Sequence, residues 1–178
     1  MTVLATAGHV DHGKSTLVNF LTNQETDRLA EEKNRGLTIN LGYTYFEYQK
    51  RAISIVDVPG HQDYFKNTIA GFSNVNGVLF CIDSVQGWSR QSEEHFKSIV
   101  NLGIRDILVI FTKTDLLEET LKKDSIIKKF SNIKNLNFQI TEFSSKTSNK
   151  EDFHKEINDF FKDTGADEEG TVWVDRTF

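Results

Sequence analysis

The residues from Gly8 to Thr16, which read GHVDHGKST, have the types and spacing that most clearly point to chemistry. They fit the pattern G-x-x-x-x-G-K-[ST], a loop that binds nucleotide phosphates through its backbone N–H groups and the helix that follows. In that pattern Lys14 contacts the β- and γ-phosphates, and the Ser15 hydroxyl ligates Mg²⁺. The segment predicts a nucleoside triphosphate site with Mg²⁺. The alternative is a glycine-rich turn that only caps a helix.

A second segment, Asp57-Val58-Pro59-Gly60-His61, follows the apolar run 52–56. That run predicts a strand, so Asp57 falls at its carboxyl end, where open α/β sheets bind their ligands. Asp57 could hold Mg²⁺ through water, and Gly60 would let a backbone N–H approach the γ-phosphate. Taken alone, Pro59-Gly60 could also be a simple turn.

A third segment, Thr112-Lys113-Thr114-Asp115, follows the apolar run 107–111. A carboxylate at Asp115 can accept two hydrogen bonds, from N1–H and the 2-amino group of guanine, a pair of donors that adenine does not offer. A buried site of this kind can reject the wrong base strongly, so the segment predicts selection of GTP over ATP. On its own, a Lys and an Asp after a strand are more often a solvated loop.

These three segments, together with Arg35-Gly36-Leu37-Thr38-Ile39, resemble the GTP-binding domain of the elongation factor Tu-like translation factors, from Thr2 to about Lys162. The resemblance implies a GTPase that works with the ribosome and an aminoacyl-tRNA. Three details are similar to the selenocysteine-specific branch of the family: the short segment between Thr16 and Arg35, the Leu41-Gly42-Tyr43 run, and Val58 in place of a common Cys.

The resemblance also implies roles for single residues. Thr38 is similar to the switch I threonine that closes over Mg²⁺ and the γ-phosphate, and His61 to the residue that positions the attacking water, as a base or as a charged stabiliser. Val10 and Ile39 resemble the apolar gate that holds this histidine away until a ribosome docks. Asp11 matches a position that can help hold a monovalent cation. The implied catalytic residues are His61, Lys14, Thr38 and Gly60, and the implied Mg²⁺ ligands are Ser15, Thr38 and Asp57.

Two departures from the family pattern concern the base. Thr112 stands where Asn is usual, so fewer bonds back to the phosphate loop and a lower affinity are expected. Ser144-Ser145-Lys146 resembles Ser-Ala-Lys, and the alkyl stems of Lys113 and Lys146 would sandwich the base. The residues expected to bind the nucleotide are Asp11, His12, Gly13, Lys14, Ser15, Thr16, Thr112, Lys113, Asp115, Ser144, Ser145 and Lys146.

The elements that must position these residues alternate between strand and helix patterns. Strands are predicted near 2–7, 42–48, 52–57, 77–83, 107–112 and 138–143, and helices at 14–23, 62–71, 90–102, 117–130 and 151–162. The fold class is therefore α/β: a P-loop NTPase fold with a six-stranded, mostly parallel sheet and helices on both faces. The turn Gln49-Lys50-Arg51 is too short for a crossover helix, so one edge strand should be an antiparallel hairpin partner.

Composition agrees with one domain in a reducing compartment. The 178 residues are 38% hydrophobic, and the single Cys81 lies in an apolar run that predicts burial. The net charge of −5 argues against direct binding of DNA, or of RNA by this domain alone. No leader or membrane-spanning stretch is evident, so we expect a cytoplasmic, monomeric domain. His9, His12, His95 and His154 lack metal-ligand spacing and are expected on loops and helix surfaces.

The domain is expected to span 1–163. Residues 164–178 read as an acidic linker followed by a strand, Thr171 to Phe178, which resembles the start of the family's β-barrel domain. A terminal strand added to the existing sheet is the alternative. Since no internal Arg is well placed to assist the chemistry, slow hydrolysis without a ribosome is expected. Other functions left open are a general aminoacyl-tRNA carrier, the GTPase subunit that assists sulfate adenylylation, and a GTP-binding module that does not hydrolyse.

Overall fold

The centre of the molecule is a six-stranded sheet, seen in a computed structural model that describes residues 2–25, 37–116, 123–162 and 164. Its strand order is β2-β3-β1-β4-β5-β6. The β2–β3 pair is antiparallel, and the β1–β3, β1–β4, β4–β5 and β5–β6 pairs are parallel. This confirms the predicted fold class. The strands are β1 (Thr2–Ala7), β2 (Gly42–Tyr48), β3 (Arg51–Asp57), β4 (Gly77–Asp83), β5 (Asp106–Thr112) and β6 (Asn137–Phe143).

The helices cover both faces of this sheet. They are α1 (Lys14–Thr22), α2 (Phe65–Phe72), α3 (Arg90–Asn101), α4 (Lys123–Ser131) and α5 (Lys150–Phe160). The helix predicted at 62–71 divides into a 3₁₀ turn, Gln62–Tyr64, and α2. Of the helix predicted at 117–130, the part from 117 to 122 lies outside the described residues. Side-chain caps begin α3 at Ser89 and α5 at Asn149.

Two apolar cores follow from the alternation of side chains along each strand. In β4, Val78, Phe80 and Ile82 belong to the core shared with α2, α3 and α4, whereas Leu79 and Cys81 belong to the core shared with α1 and α5. Cys81 is fully buried, as predicted, and burial raises the pKa of its thiol to about 12. Both faces of the central strands are covered by apolar side chains. This packing fixes the position of the carboxyl ends of the strands.

The antiparallel pair is closed by a two-residue turn. Gln49 and Lys50 have positive φ angles of 47° and 66°, the conformation that a tight hairpin with native strand twist requires. Tyr48 and Arg51 are register partners, so Arg51 belongs to β3 rather than to the predicted turn. Its guanidinium donates to the Phe161 carbonyl at 2.7 Å, which ties the hairpin to the end of α5.

The expected surface position of the histidines is wrong for His12 and His95, which are 0% and 1% exposed. His95 can be buried because its Nδ1 accepts a hydrogen bond from the Gly8 N–H at 3.1 Å. His154 is partly buried and stacks on Phe46 at 4.2 Å between ring centroids. A neutral imidazole that has a hydrogen-bond partner is tolerated in a core, and spacing alone does not reveal that partner.

Besides residues 117–122, other predicted features fall outside the described residues: Arg35 and Gly36 of the switch I motif, and the linker and strand expected after residue 164. Within the described ranges, no helix has the length and apolar character needed to cross a bilayer.

Candidate functional site

The loop after β1 turns through glycines that no other residue could replace without strain. Gly8 has a φ of 126°, and a Cβ there would lie 2.2 Å from the Cys81 carbonyl oxygen. Gly13, at φ 78°, precedes α1, and Asp11 between them is also left-handed at φ 61°. The loop therefore lies directly over the carboxyl end of the sheet, with α1 beginning at Lys14.

The start of α1 suits an anion. Gly13 offers no side chain to cap the first turn, so no side chain competes for the amides that such a helix presents to phosphate. Lys14 is only 6% exposed, and its Nζ donates to the His9 carbonyl at 2.8 Å. The Lys14 ammonium is thus held close to the loop backbone, where it could also contact a phosphate bound by that loop.

A cavity of about 420 Å³ lies in front of this loop. Ser15 and Thr38 meet at its wall, where their hydroxyl groups share a hydrogen bond of 3.0 Å. Gly60 closes another side, where an added Cβ would come within 2.4 Å of Lys14 Nζ and 2.6 Å of the Val10 nitrogen. The lining residues are Val10, Asp11, Gly13, Lys14, Ser15, Thr16, Leu37, Thr38, Gly60 and Lys113.

Asp57 is fully buried at the end of β3, three residues before Gly60 of the cavity lining. Its Oδ1 accepts a hydrogen bond from the Thr6 hydroxyl at 2.8 Å, and the same hydroxyl oxygen accepts from the Val58 N–H at 3.1 Å. Thr6 belongs to none of the sequence motifs and was not predicted as a site residue. Its position in β1, next to β3, was the available signal, because neighbouring parallel strands place their final residues side by side.

His61 is not among the described residues that line the cavity. Its side chain is 34% exposed, and its Nδ1 accepts from the Asp63 N–H at 3.3 Å. Its ring centroid lies 6.2 Å from that of Tyr64. The structure therefore brings Lys14, Thr38 and Gly60 together but does not place His61 with them.

The third sequence segment joins the phosphate loop through Thr112. Its hydroxyl donates to the His12 carbonyl at 2.9 Å, and Ile82 offers a second carbonyl at 3.4 Å. The shorter side chain of Thr112 thus keeps a bridge to the phosphate loop, although fewer such bonds were expected from the sequence. Sequence alone could not show this, because the acceptor is backbone.

Asp115 belongs to a cluster with Ser144 and Lys146. The Ser144 hydroxyl donates to Asp115 Oδ1 at 2.8 Å, and Lys146 Nζ lies 2.9 Å from Asp115 Oδ2. Hydrogen bonds from Lys146 and then Ser144 hold the pKa of Asp115 below its usual range. Ser145 is exposed beside them. The carboxylate is thus ionised and oriented, the state that accepting two hydrogen bonds from a base requires.

Helix α3 supports the phosphate loop from the side with Gln91 and His95, one turn apart. Gln91 Oε1 contacts the His9 ring and accepts from the Val10 N–H at 3.4 Å, and His95 binds the Gly8 N–H. Burial, reinforced by Lys14, lowers the pKa of His95 to about 3, so the ring stays neutral and can accept. Neither support role was predicted from the sequence, where the only signal is the i, i+4 spacing of Gln91 and His95.

Asp83, at the end of β4, was also missed. Its Oδ2 lies 2.7 Å from Lys113 Nζ. Burial alone would raise the pKa of Asp83, but hydrogen bonds from Lys113, Gln86 and Val85 hold that pKa below its ordinary value.

The donors around the cavity suit a hard cation. Ser15 and Thr38 present hydroxyl oxygens 3.0 Å apart. Asp57, which is not among the described lining residues, is a buried carboxylate three residues before Gly60. Oxygen donors, few in number and completed by water and phosphate, are what Mg²⁺ prefers. Elsewhere in the described part of the chain, no group of three or more His, Cys, Asp or Glu side chains is arranged to hold a metal.

Comparison with known proteins agrees with this geometry. The model of the elongation factor Tu GTP binding domain matches residues 1–164. The selenocysteine-specific elongation factor of Desulfomicrobium baculatum is 44% identical over 118 residues, which are 66% of this chain and 19% of that protein. The factor of the same name from Haemophilus influenzae is 35% identical over 147 residues, which are 78% of this chain and 23% of that protein. The chain thus spans about a fifth of the length of these curated relatives.

Two solved structures share the fold. A bacterial selenocysteine-specific elongation factor, EF-Sec, superposes with a TM-score of 0.81 at 35% identity, covering 91% of this chain and 29% of that one. Elongation factor SelB of Methanococcus maripaludis, solved with the GTP analogue GPPNHP, superposes with a TM-score of 0.75 at 28% identity, covering 92% of this chain and 34% of that one.

Proposed function

The chain belongs to the elongation factor Tu GTP-binding domain family, and from this membership and the site geometry we propose that it binds GTP at the phosphate loop and hydrolyses it to GDP and phosphate. Translational GTPases of this family hydrolyse GTP. The observation that carries the proposal is the cavity in which Lys14, Ser15, Thr38 and Gly60 meet, because phosphate-loop and switch residues line the same space.

The base would lie beyond Lys113, toward Asp115. Asp115 would accept from guanine N1–H and the 2-amino group while Ser144 keeps the carboxylate in plane. Lys146, paired with Asp115 at 2.9 Å, is exposed enough to swing its stem over the base. Selection of guanine therefore depends on one oriented carboxylate.

Mg²⁺ would be held by Ser15 and Thr38, with Asp57 acting through water, and when bound it neutralises charge on the phosphates. Lys14 adds its own charge to the β- and γ-phosphates. Because Thr38 and Gly60 would contact the γ-phosphate only while GTP is bound, the segments that carry these two residues would change between the GTP and GDP states. A monovalent cation beside Asp11 remains part of the proposal.

His61 would position the water for in-line attack. Its contact with Asp63, away from the cavity lining, supports a second part of the proposal: the ring must first rotate past Val10 and Ile39. Hydrolysis by the domain alone is then slow, and docking on the ribosome supplies the rotation.

The relatives that bear the name selenocysteine-specific elongation factor support the branch assignment. We infer that the chain acts within a longer factor that delivers selenocysteinyl-tRNA to the ribosome. This inference concerns the whole factor, of which these residues represent about a fifth in the relatives.

Competition binding tests the core of the proposal. GDP with a fluorescent group on its ribose is titrated with Mg²⁺ present and displaced separately by GTP, GDP and ATP. Displacement by both guanine nucleotides, but not by ATP, is expected. Equal displacement by ATP would leave only a generic phosphate-loop nucleotide binder.

A further inference from the structure

We propose that Asp83 is a positioning residue for base recognition: its carboxylate holds Lys113 so that the alkyl stem of the lysine lies against one face of the guanine. The proposal rests on the proposed guanine-nucleotide function and deepens it, because it assigns the origin of part of the affinity for the base.

The carboxylate of Asp83 is itself fixed. Asp83 ends β4, pairs in register with Thr112, and is 1% exposed. Its Oδ1 accepts from the Val85 N–H at 2.7 Å and from the Gln86 N–H at 3.1 Å. Its Oδ2 is then left to face Lys113 Nζ at 2.7 Å. Each oxygen therefore has a separate task, one within its own loop and one across to the base-binding loop.

Lys113 needs such an anchor. Its backbone is left-handed at φ 57°, and its side chain is 35% exposed along the cavity that contains the phosphate loop. A lysine side chain loses much of its conformational freedom when it is immobilised, which costs free energy. Because Asp83 already restrains the ammonium, the nucleotide does not have to supply that cost when it binds.

The two loops are joined at more than this ion pair. The Ser84 N–H donates to the Thr112 carbonyl at 2.9 Å, so the residues after β4 and β5 stay in register as they leave the sheet. The ion pair between Asp83 and Lys113 joins the same two loops a second time, at a lysine that lines the cavity. Unlike an exposed surface pair, it has a buried carboxylate on one side, so water screens it less.

An alkyl stem packs on any flat base, so this contact is indifferent to base identity. Asp115 selects guanine, whereas Asp83 acts through Lys113 and adds affinity without selection. A change at Asp83 should therefore weaken binding of GDP to the wild-type site and of XDP to the Asp115→Asn site by the same factor.

The test uses Asp83→Asn, which keeps an oxygen to accept from Val85 and Gln86 and removes the charge that faces Lys113. Fluorescent GDP should bind about three- to tenfold more weakly, corresponding to part of the side-chain freedom of one lysine. In a Lys113→Met background the same change should have no further effect. Inorganic tripolyphosphate, which has no base, should displace fluorescent GDP with the same inhibition constant from the wild-type protein and from Asp83→Asn.

Three results would overturn the inference: unchanged GDP affinity in Asp83→Asn, an equal loss in the Lys113→Met background, or a parallel loss for tripolyphosphate. The last two would show that Asp83 only shapes its loop. Wild-type protein that binds ADP as tightly as GDP would instead overturn the proposed function, so the two failures are distinguishable.

Discussion

The hydroxyl of Thr112 donates a hydrogen bond to the backbone carbonyl of His12, 2.9 Å away, and so joins the base-recognition segment to the phosphate loop. Thr112 is 1% exposed, and its partner carbonyl is within the loop that turns through Gly13. The base-recognition segment and the phosphate loop are thus joined through a buried hydroxyl.

Replacing this hydroxyl should weaken nucleotide binding. Thr112→Val keeps the shape but leaves the His12 carbonyl without this donor, a loss of about 1–3 kcal/mol for a buried group. We expect GDP to bind about tenfold more weakly in a fluorescence titration. Thr112→Ser, which retains the hydroxyl, is the matched control and should stay within about twofold of wild type. Equal affinities for the Val and Ser variants would show that the bridge contributes nothing.

Asp115→Asn should exchange the base preference. An amide in place of the carboxylate cannot accept both guanine donors, but it can donate to the 2-oxo group of xanthine. We expect GTP affinity to fall by at least about 10²-fold and XTP to compete better than GTP. Competition of GTP and XTP against fluorescent GDP and fluorescent XDP measures the loss of GTP affinity and the gain of XTP affinity. Ser144→Ala, which removes the hydroxyl 2.8 Å from Asp115, should weaken GTP without any gain for XTP.

If Asp115→Asn loses GTP and gains nothing with XTP, the carboxylate supports the loop and does not read the base.

His61→Ala should slow hydrolysis while leaving GTP affinity close to wild type, because the ring is not among the described residues that line the cavity. Catalysis by a positioned side chain contributes roughly 10²–10⁴-fold, so a loss of that order is expected when the ribosome stimulates the full-length factor. Single-turnover release of phosphate is the measurement. His61→Gln keeps a hydrogen-bonding group that does not titrate, and so separates water placement from charge. Turnover equal to wild type in the Ala variant would exclude His61 from the mechanism.

The sheet, its antiparallel edge and the phosphate loop could be predicted from the sequence because their signals are local. A continuous apolar run predicts β4, and the two glycines of the loop lie at positions where φ is 126° and 78°. The supporting residues could not be predicted in this way. Thr6 and Asp83 act through partners about 51 and 30 positions away, and such contacts leave no periodic pattern in the chain.

His95 shows the same limit for a titratable residue. A histidine in an amphipathic helix gives no sign that its acceptor partner is the Gly8 amide, 87 positions earlier in the chain. The sequence expectation placed it on the helix surface, whereas tertiary contact with Phe65 and Phe72 buries it. Burial then fixes its charge state, and with it the loop geometry.

This burial makes stability depend on pH. The pKa of His95 is lowered from 6.5 to about 3 in the folded state, so between those values the unfolded chain binds the proton first. The contribution of neutral His95 to the free energy of unfolding is therefore fully present above about pH 6.5. It decreases as the pH falls toward about 3, with a limiting slope of about 1.4 kcal/mol per pH unit. Burial lowers the pKa of His12 to about 4, which adds loss of the same sign.

His95→Asn keeps an acceptor for the Gly8 N–H and removes the titration. Its free energy of unfolding, from urea denaturation between about pH 7 and about pH 5, should fall less steeply with acid than that of the wild type. His95→Phe, which keeps the packing against Phe65 and Phe72 but not the acceptor, should show the same flattened slope and weaker GDP binding than His95→Asn. Identical slopes in wild type and both variants would mean that His95 does not titrate on unfolding. Equal GDP affinity in the two variants would mean that its hydrogen bond to Gly8 does not hold the phosphate loop.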